Sequence, residues 1–163
     1  MRGWQVVVKR SLWAGVGATV LLVAVGGCTR SGGTGSSQLV GQIPLTGAQE
    51  VPPVTTNASG YTDIYVHPFK CPAATSGSNC YNPVGSVSVA GLTPTAVHIH
   101  QAAPGQNGPV IVPLVRVSDT MWVVPSGANI NKDQYDAWWA GNTYVNVHTA
   151  ASPNGEIRGQ LKH

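Results

Sequence analysis

Few residues in this sequence are equipped for chemistry, and three of them are histidines in strand-like contexts. His98 and His100 stand one residue apart in "AVHIHQAAPGQNGPV", just before a loop rich in Gly, Pro and Asn, and His148 ends the alternating stretch "TYVNVHT". In an extended strand, residues two apart point to the same side, so His98 and His100 share a face. Two imidazoles from one strand and a third from another can make a three-nitrogen site. Neutral imidazole suits copper and zinc, and three protein ligands leave a position open for water or substrate. Only five histidines occur in the chain. His67 is a candidate fourth ligand, His163 is terminal, and Met121 is a possible soft axial ligand for copper that as a lone Met reads more naturally as a core filler. The other reading of the trio is a hydrogen-bonded network that orders the loops after His100 and His148. Spacing alone leaves metal site and network equally open.

The elements that must position these residues read as short strands and turns. In "AVHIHQ", Val97 and Ile99 take one side and the two histidines the other. In "TYVNVHT", Val145 and Val147 oppose Tyr144, Asn146 and His148. In "GEIRGQL", Ile157 and Leu161 oppose Glu156, Arg158 and Gln160. Each strand thus has an apolar side for a core and a polar side, and neighbouring strands would gather three histidines and an arginine on an outer sheet face. "LVGQIPL", "YTDIYVHP", "VGSVSVAGL" and "TMWVV" read as further strands, and Pro113 marks "GPVIVPLVRV" as an edge or bulged strand. One helix is expected over "NINKDQYDAWWAG", with Asn131 as N-cap and Gly141 beyond the end. Tyr135, Trp138 and Trp139 on it are expected to pin it to the sheet. Seven or eight strands, with 20 glycines and 12 prolines, predict an all-β fold, an antiparallel sandwich or barrel with one short helix.

Other chemistries find little support. No G-x-S-x-G nucleophile elbow and no P-loop occur. Glu50 and Glu156 are the candidates for paired carboxylates, and nothing in their spacing places them at glycosidase separation.

Length and charge narrow the setting. The 163 residues suffice for one ordinary domain. "MRGWQVVVKR", the apolar run "SLWAGVGATVLLVAV" and "GGC" have the order of a secretory signal, and "VGGC" resembles the lipobox of bacterial lipoproteins. That resemblance makes Cys28 the lipidated first residue of the mature chain. We expect residues 1–27 to be a lipoprotein signal peptide, 28–37 a flexible Gly/Ser tether, and 38–163 the folded domain. The apolar run is slightly short for a membrane span of about 20 residues. Three of the nine Lys and Arg residues (Arg2, Lys9, Arg10) fall in the leader, while all six acids follow Cys28, so the mature protein is formally neutral. That argues against nucleic acid as a partner. In an exported chain, Cys71 and Cys80 in "CPAATSGSNC" read as a disulfide. With no second pair, a zinc cluster is the weaker reading.

Three segments together resemble one family. "LTGAQEVPPV" followed by "ASG", "AVHIHQAAPGQNGPVIVPL", and "GNTYVNVHTAASPNGEIRGQL" look like the CHRD domain. The resemblance runs over roughly residues 39–162, and it implies an extracytoplasmic all-β domain. The segment holding Cys71 and Cys80 departs from it, so His67 and the disulfide inherit no family role. A looser similarity, in layout only, is to copper/zinc superoxide dismutase, where an H-x-H strand and a late V-x-H strand supply copper ligands on a Greek-key β-barrel. It implies copper on His98, His100 and His148, with Arg158 as anion guide. The metal-bridging histidine and the zinc loop of that family have no counterpart here, so a single ion is expected.

Taken together, the sequence predicts a lipid-anchored, extracytoplasmic domain, held to the membrane through Cys28, that binds one copper ion, or zinc as second choice, for metal handling or redox protection. The alternative is a non-enzymatic module that binds an envelope protein and uses its histidines as a structural network.

Overall fold

The computed structural model describes residues 41–70 and 79–162. The expected signal peptide, the tether, Cys28 and Cys71 lie outside the described residues. The strands in chain order are β1 (Ile43–Thr46), β2 (Ser59–Thr62), β3 (Tyr65–Lys70), β4 (Asn79–Val84), β5 (Ser86–Ala90) and β6 (Pro94–Gln101). They continue with β7 (Val110–Pro113), β8 (Val115–Arg116), β9 (Met121–Val123), β10 (Thr143–Thr149) and β11 (Ile157–Gln160), and the helix α1 (Lys132–Trp139) lies between β9 and β10. Nine strands form one antiparallel sheet in the order β7-β6-β10-β11-β1-β2-β5-β9-β8. Its two edge strands, β7 and β8, are consecutive in the chain and separated by Leu114 alone, whose N–H donates to the Val97 carbonyl at 2.9 Å. The sheet therefore curls nearly into a barrel, and the expected all-β architecture is the one observed.

Strands are more numerous and shorter than the hydropathy pattern predicts, for two local reasons. Pro113 lacks a donor and ends β7, so the long apolar run "GPVIVPLVRV" splits between both edges of the sheet. "YTDIYVHP" breaks at Asp63, whose carboxylate accepts from the Ser86 backbone N–H at 2.6 Å and from its hydroxyl at 3.0 Å. There the chain leaves the barrel for the separate β3–β4 hairpin and returns as β5, which pairs with β2. This hairpin is where the sequence departs from its family resemblance. Cys80 lies on β4 opposite Phe69, and the ladder continues to Lys70 and Asn79.

Inside the barrel, alternation does what the sequence implies. Leu45, Val87, Val97, Val145, Val147 and Ile157 are fully buried, each worth about 1.5–3 kcal/mol over an exposed side chain. Helix α1 packs against β4 and β6. Asn131 caps it, accepting from the Gln134 N–H while the Gln134 side chain takes the Asn131 N–H, a reciprocal capping box. Trp138 enters the core and Tyr135 stacks on Tyr81 at 4.1 Å, so these two pin the helix as expected, whereas Trp139 is half exposed. Among the described residues, no helix is long and apolar enough to cross a membrane.

Candidate metal centre on a buried polar face

The sheet register assembles the site. His98 on β6 lies opposite Asn146 on β10, which lies opposite Arg158 on β11, which lies opposite Thr46 on β1. The next rung runs from His100 through Tyr144 to Gln160, and His148 faces Ala96 one rung the other way. Because Val97, Ile99, Val145, Val147 and Ile157 fill the barrel, all of these polar residues stand on its other side.

That side differs from the solvated outer face the alternation predicts. Tyr144 and Arg158 are 1% exposed, Asn146 3% and Gln160 7%. Two segments roof them: the turn after β1, carrying Gln49 and Glu50, and the loop from Ala102 to Gly108. The period of a strand says which side a residue takes, and it carries no information about whether a loop covers that side.

Three histidine rings converge at the edge of this face, His100 buried under the loop and His98 and His148 half-buried. Their available ring nitrogens all lie within 4.8 Å of one another. His100 Nδ1 is 2.9 Å from the Gly108 carbonyl and His148 Nδ1 is 2.9 Å from the Pro153 carbonyl. A carbonyl only accepts, so both rings carry their proton on Nδ1 and present the Nε2 lone pair. His148 Nε2 receives His98 Nδ1 at 3.1 Å. His100 Nε2 is buried and has no hydrogen-bond partner. A carbonyl on the far nitrogen of each ring is the arrangement that orients histidine ligands around metals. Burial, and secondarily the neighbouring His148, holds His98 below its ordinary pKa; burial does the same for His100, against the opposing effect of its Gly108 hydrogen bond. Both rings are therefore neutral at physiological pH, the state that can ligate.

The remaining sequence candidates fall elsewhere. His67 is exposed on β3, its ring edge-on to Tyr65 at 4.5 Å, and it is not in the convergent group. The hairpin that carries it is hydrogen-bonded into a sheet of its own. Met121 is on β9, paired with β5 and β8, and is half exposed. Arg158, the expected anion guide, is buried and braces the loop. Its guanidinium lies 3.4 Å over the Tyr144 ring and donates to Gln106 O at 2.9 Å, Asn107 Oδ1 at 3.3 Å and Gln160 Oε1 at 3.0 Å. The Tyr144 ring also stacks on His100 at 4.8 Å. Arg158 thus holds the loop whose Gly108 carbonyl orients His100. Glu156 is taken up by the Thr149 and Thr56 hydroxyls at 2.6 and 2.8 Å, tying the last turn to the segment before β2.

Sequence reasoning missed the role of Glu50 and of two backbone carbonyls. Glu50 is 4% exposed beside Asn146, and burial raises its pKa to about 7 against the lowering effect of Arg158. A lone acid in the largely apolar stretch "AQEVPPV" is the available signal. The Gly108 and Pro153 carbonyls have no side-chain signature. Gly155 has one: its φ of +129° favours glycine, and a Cβ there would run into the Asn146 side chain.

An antiparallel barrel whose polar side is roofed by loops and carries a histidine cluster defines an all-β binding domain. The CHRD domain model matches residues 41–161, so the chain belongs to the CHRD domain family. No curated protein and no solved structure gives a significant match.

Proposed function

We propose that this protein is an extracytoplasmic metal-binding module that holds one copper ion, with zinc as second choice, through His98 Nδ1, His100 Nε2 and His148 Nε2, and serves metal handling or redox protection at the cell envelope. The observation that carries this reading is the buried, unpartnered Nε2 of His100 in a three-histidine cluster, in which Gly108 and Pro153 orient the His100 and His148 rings. A buried lone pair without a donor costs about 1–3 kcal/mol, and a cation is one occupant that would remove that cost. When bound, the ion supplies a Lewis acid and, as copper, a one-electron couple. The chain's own part is to present three imidazoles, to shift the His98 proton from Nδ1 to Nε2, and to hold His100 beneath the Ala102–Gly108 loop. We further propose that lipidated Cys28 holds the domain at the membrane and that Cys71 and Cys80 form a disulfide at the end of the β3–β4 ladder. The signal-like leader and the extracellular type of the CHRD domain support that setting.

A second reading is supported by the 3.1 Å contact between His98 and His148: a structural network in a module that binds an envelope protein. Metal analysis of the full chain, purified in detergent without a histidine tag, separates the two. The metal reading expects about one copper per chain, lost in His98→Ala and His148→Ala variants that retain the native circular-dichroism spectrum. No binding at micromolar free copper or zinc, with both variants destabilised, would leave only the network.

A further inference from the structure

The β3–β4 hairpin stands outside the barrel sheet and turns an apolar face to solvent. Tyr65 and Phe69 are 48% and 44% exposed. They share one side of β3 with His67, whose ring meets Tyr65 edge-on. Val84, half-buried, lies opposite Tyr65 on β4 and so joins that side. The other side of the hairpin belongs to the core, through Val66, Tyr81 and Pro83. From Ile64 to Val84 the sequence holds no acid, and Lys70 is its one formal charge.

The place of the hairpin in the fold bears on what covers this face. The chain leaves the barrel at Asp63 and returns at Ser86, and these two residues are hydrogen-bonded across the exit. Thr62, one residue earlier, pairs with Ile43, the first residue of β1. The segment that joins the domain to Cys28 therefore enters at the root of the hairpin. Residues 29–40 separate Cys28 from Gly41. A chain of that length reaches at most about 40 Å, little more than the diameter of a small domain.

We propose that the exposed face of the β3–β4 hairpin rests in the headgroup layer of the membrane that holds Cys28, with Tyr65 and Phe69 as its contacts. The proposal rests on the lipid-anchor reading of Cys28 and is independent of the metal. Aromatic side chains with an apolar body suit the boundary between headgroups and acyl chains. The lack of acids removes repulsion from anionic lipids, and Lys70 adds a weak attraction. The size of the face selects a membrane over a protein partner. The six residues of β3 and their partners on β4 cover about 20 by 10 Å, roughly a quarter of the 800 Å² that each side of a stable protein interface buries. A surface within reach of the anchor needs no such area, because the anchor already supplies the local concentration.

The test places the full chain, isolated from membranes, in nanodiscs of phosphatidylethanolamine and phosphatidylglycerol with a trace of lipid bearing a headgroup nitroxide. Paramagnetic broadening of the Tyr65 and Phe69 amides is compared with that of Asp119. Ser86 pairs with Val123 and Ser88 with Met121, so the turn holding Asp119 lies at the end of β9 away from the hairpin root. We expect broadening at Tyr65 and Phe69 at least tenfold that at Asp119. In a Tyr65→Ser, Phe69→Ser double variant, still carried on the discs by its anchor, the ratio is expected to fall below threefold. The wild-type ratio alone decides if that variant misfolds. The intact mass of the same sample reads the acyl chains on Cys28 separately. A ratio near unity in an acylated chain would overturn the contact and leave the anchor standing. A chain without acyl mass that elutes apart from the discs would overturn both. Shifts at Tyr65 and Phe69 that grow with chain concentration in lipid-free detergent would assign the face to a second copy, which overturns the proposal as well.

Discussion

Replacing Glu50 by Gln removes a buried carboxyl whose titration opposes that of the histidines. Glu50 moves from 4.5 to about 7 on folding. Below about pH 4.5 it is protonated in both states and costs nothing. As pH rises from there towards 7, the unfolded chain ionises first, so stability is lost until the folded group ionises as well. With 1.36 kcal/mol per pKa unit, the loss between about pH 5 and 8 is about 2.5 kcal/mol. Solvent screening removes part of it, which leaves about 1–2.5 kcal/mol. His98 and His100 act in the other direction. Their folded pKa values lie below 6.5, so as pH falls through 6.5 the unfolded chain takes up protons that the folded chain refuses, and stability drops. Urea unfolding of wild type and Glu50→Gln at several pH values isolates the carboxyl, because the histidine contribution is common to both proteins. The variant is expected to gain about 1–2.5 kcal/mol on wild type between about pH 5 and 8. A difference that stays flat within about 0.5 kcal/mol, or that falls with pH because Arg158 holds the carboxylate ionised, would refute the reasoning.

Two further substitutions probe how the roof is held. Arg158→Lys loses the planar fork that reaches Gln106, Asn107 and Gln160, and we expect a cost of about 2–4 kcal/mol in urea unfolding and faster amide exchange at Gly108; a change below about 0.5 kcal/mol would remove Arg158 as the brace. Gly155→Ala forces a Cβ into the Asn146 side chain at a φ of +129°, with an expected loss of about 2–4 kcal/mol visible as a lowered melting temperature, and an unchanged melting temperature would show that the turn relaxes freely.

The residues of the site were legible in the sequence where a period of two sufficed. "AVHIHQ", "TYVNVHT" and "EIRGQL" each assign their side chains correctly to the core or the opposite face. The rung from His98 through Asn146 to Arg158 depends on register between distant strands, which neither motif encodes alone. The roof was illegible for a different reason: Gly108 and Pro153 act through backbone carbonyls that any residue would offer. Arg158 read as an exposed charge because arginine is seldom buried, and the covering loop, with two acceptors for its guanidinium beside the one from Gln160, makes that burial tolerable. His67 looked available because strand patterning does not reveal which sheet a strand joins. The apolar run around Pro113 was correctly marked as an edge, yet nothing local foretold that it would supply both edges of a nearly closed barrel.

The central claim is that three converging imidazoles, two of them oriented by backbone carbonyls, make a site for one metal ion. Equilibrium titration of the full chain with copper and zinc under competing chelator measures it directly, with nitrogen hyperfine structure in the Cu(II) spectrum counting the ligands. The account predicts one ion per chain, three nitrogen ligands, and loss of the signal in a folded His100→Ala variant. Stoichiometric binding that survives His100→Ala, or no binding by a folded wild-type chain, would contradict it.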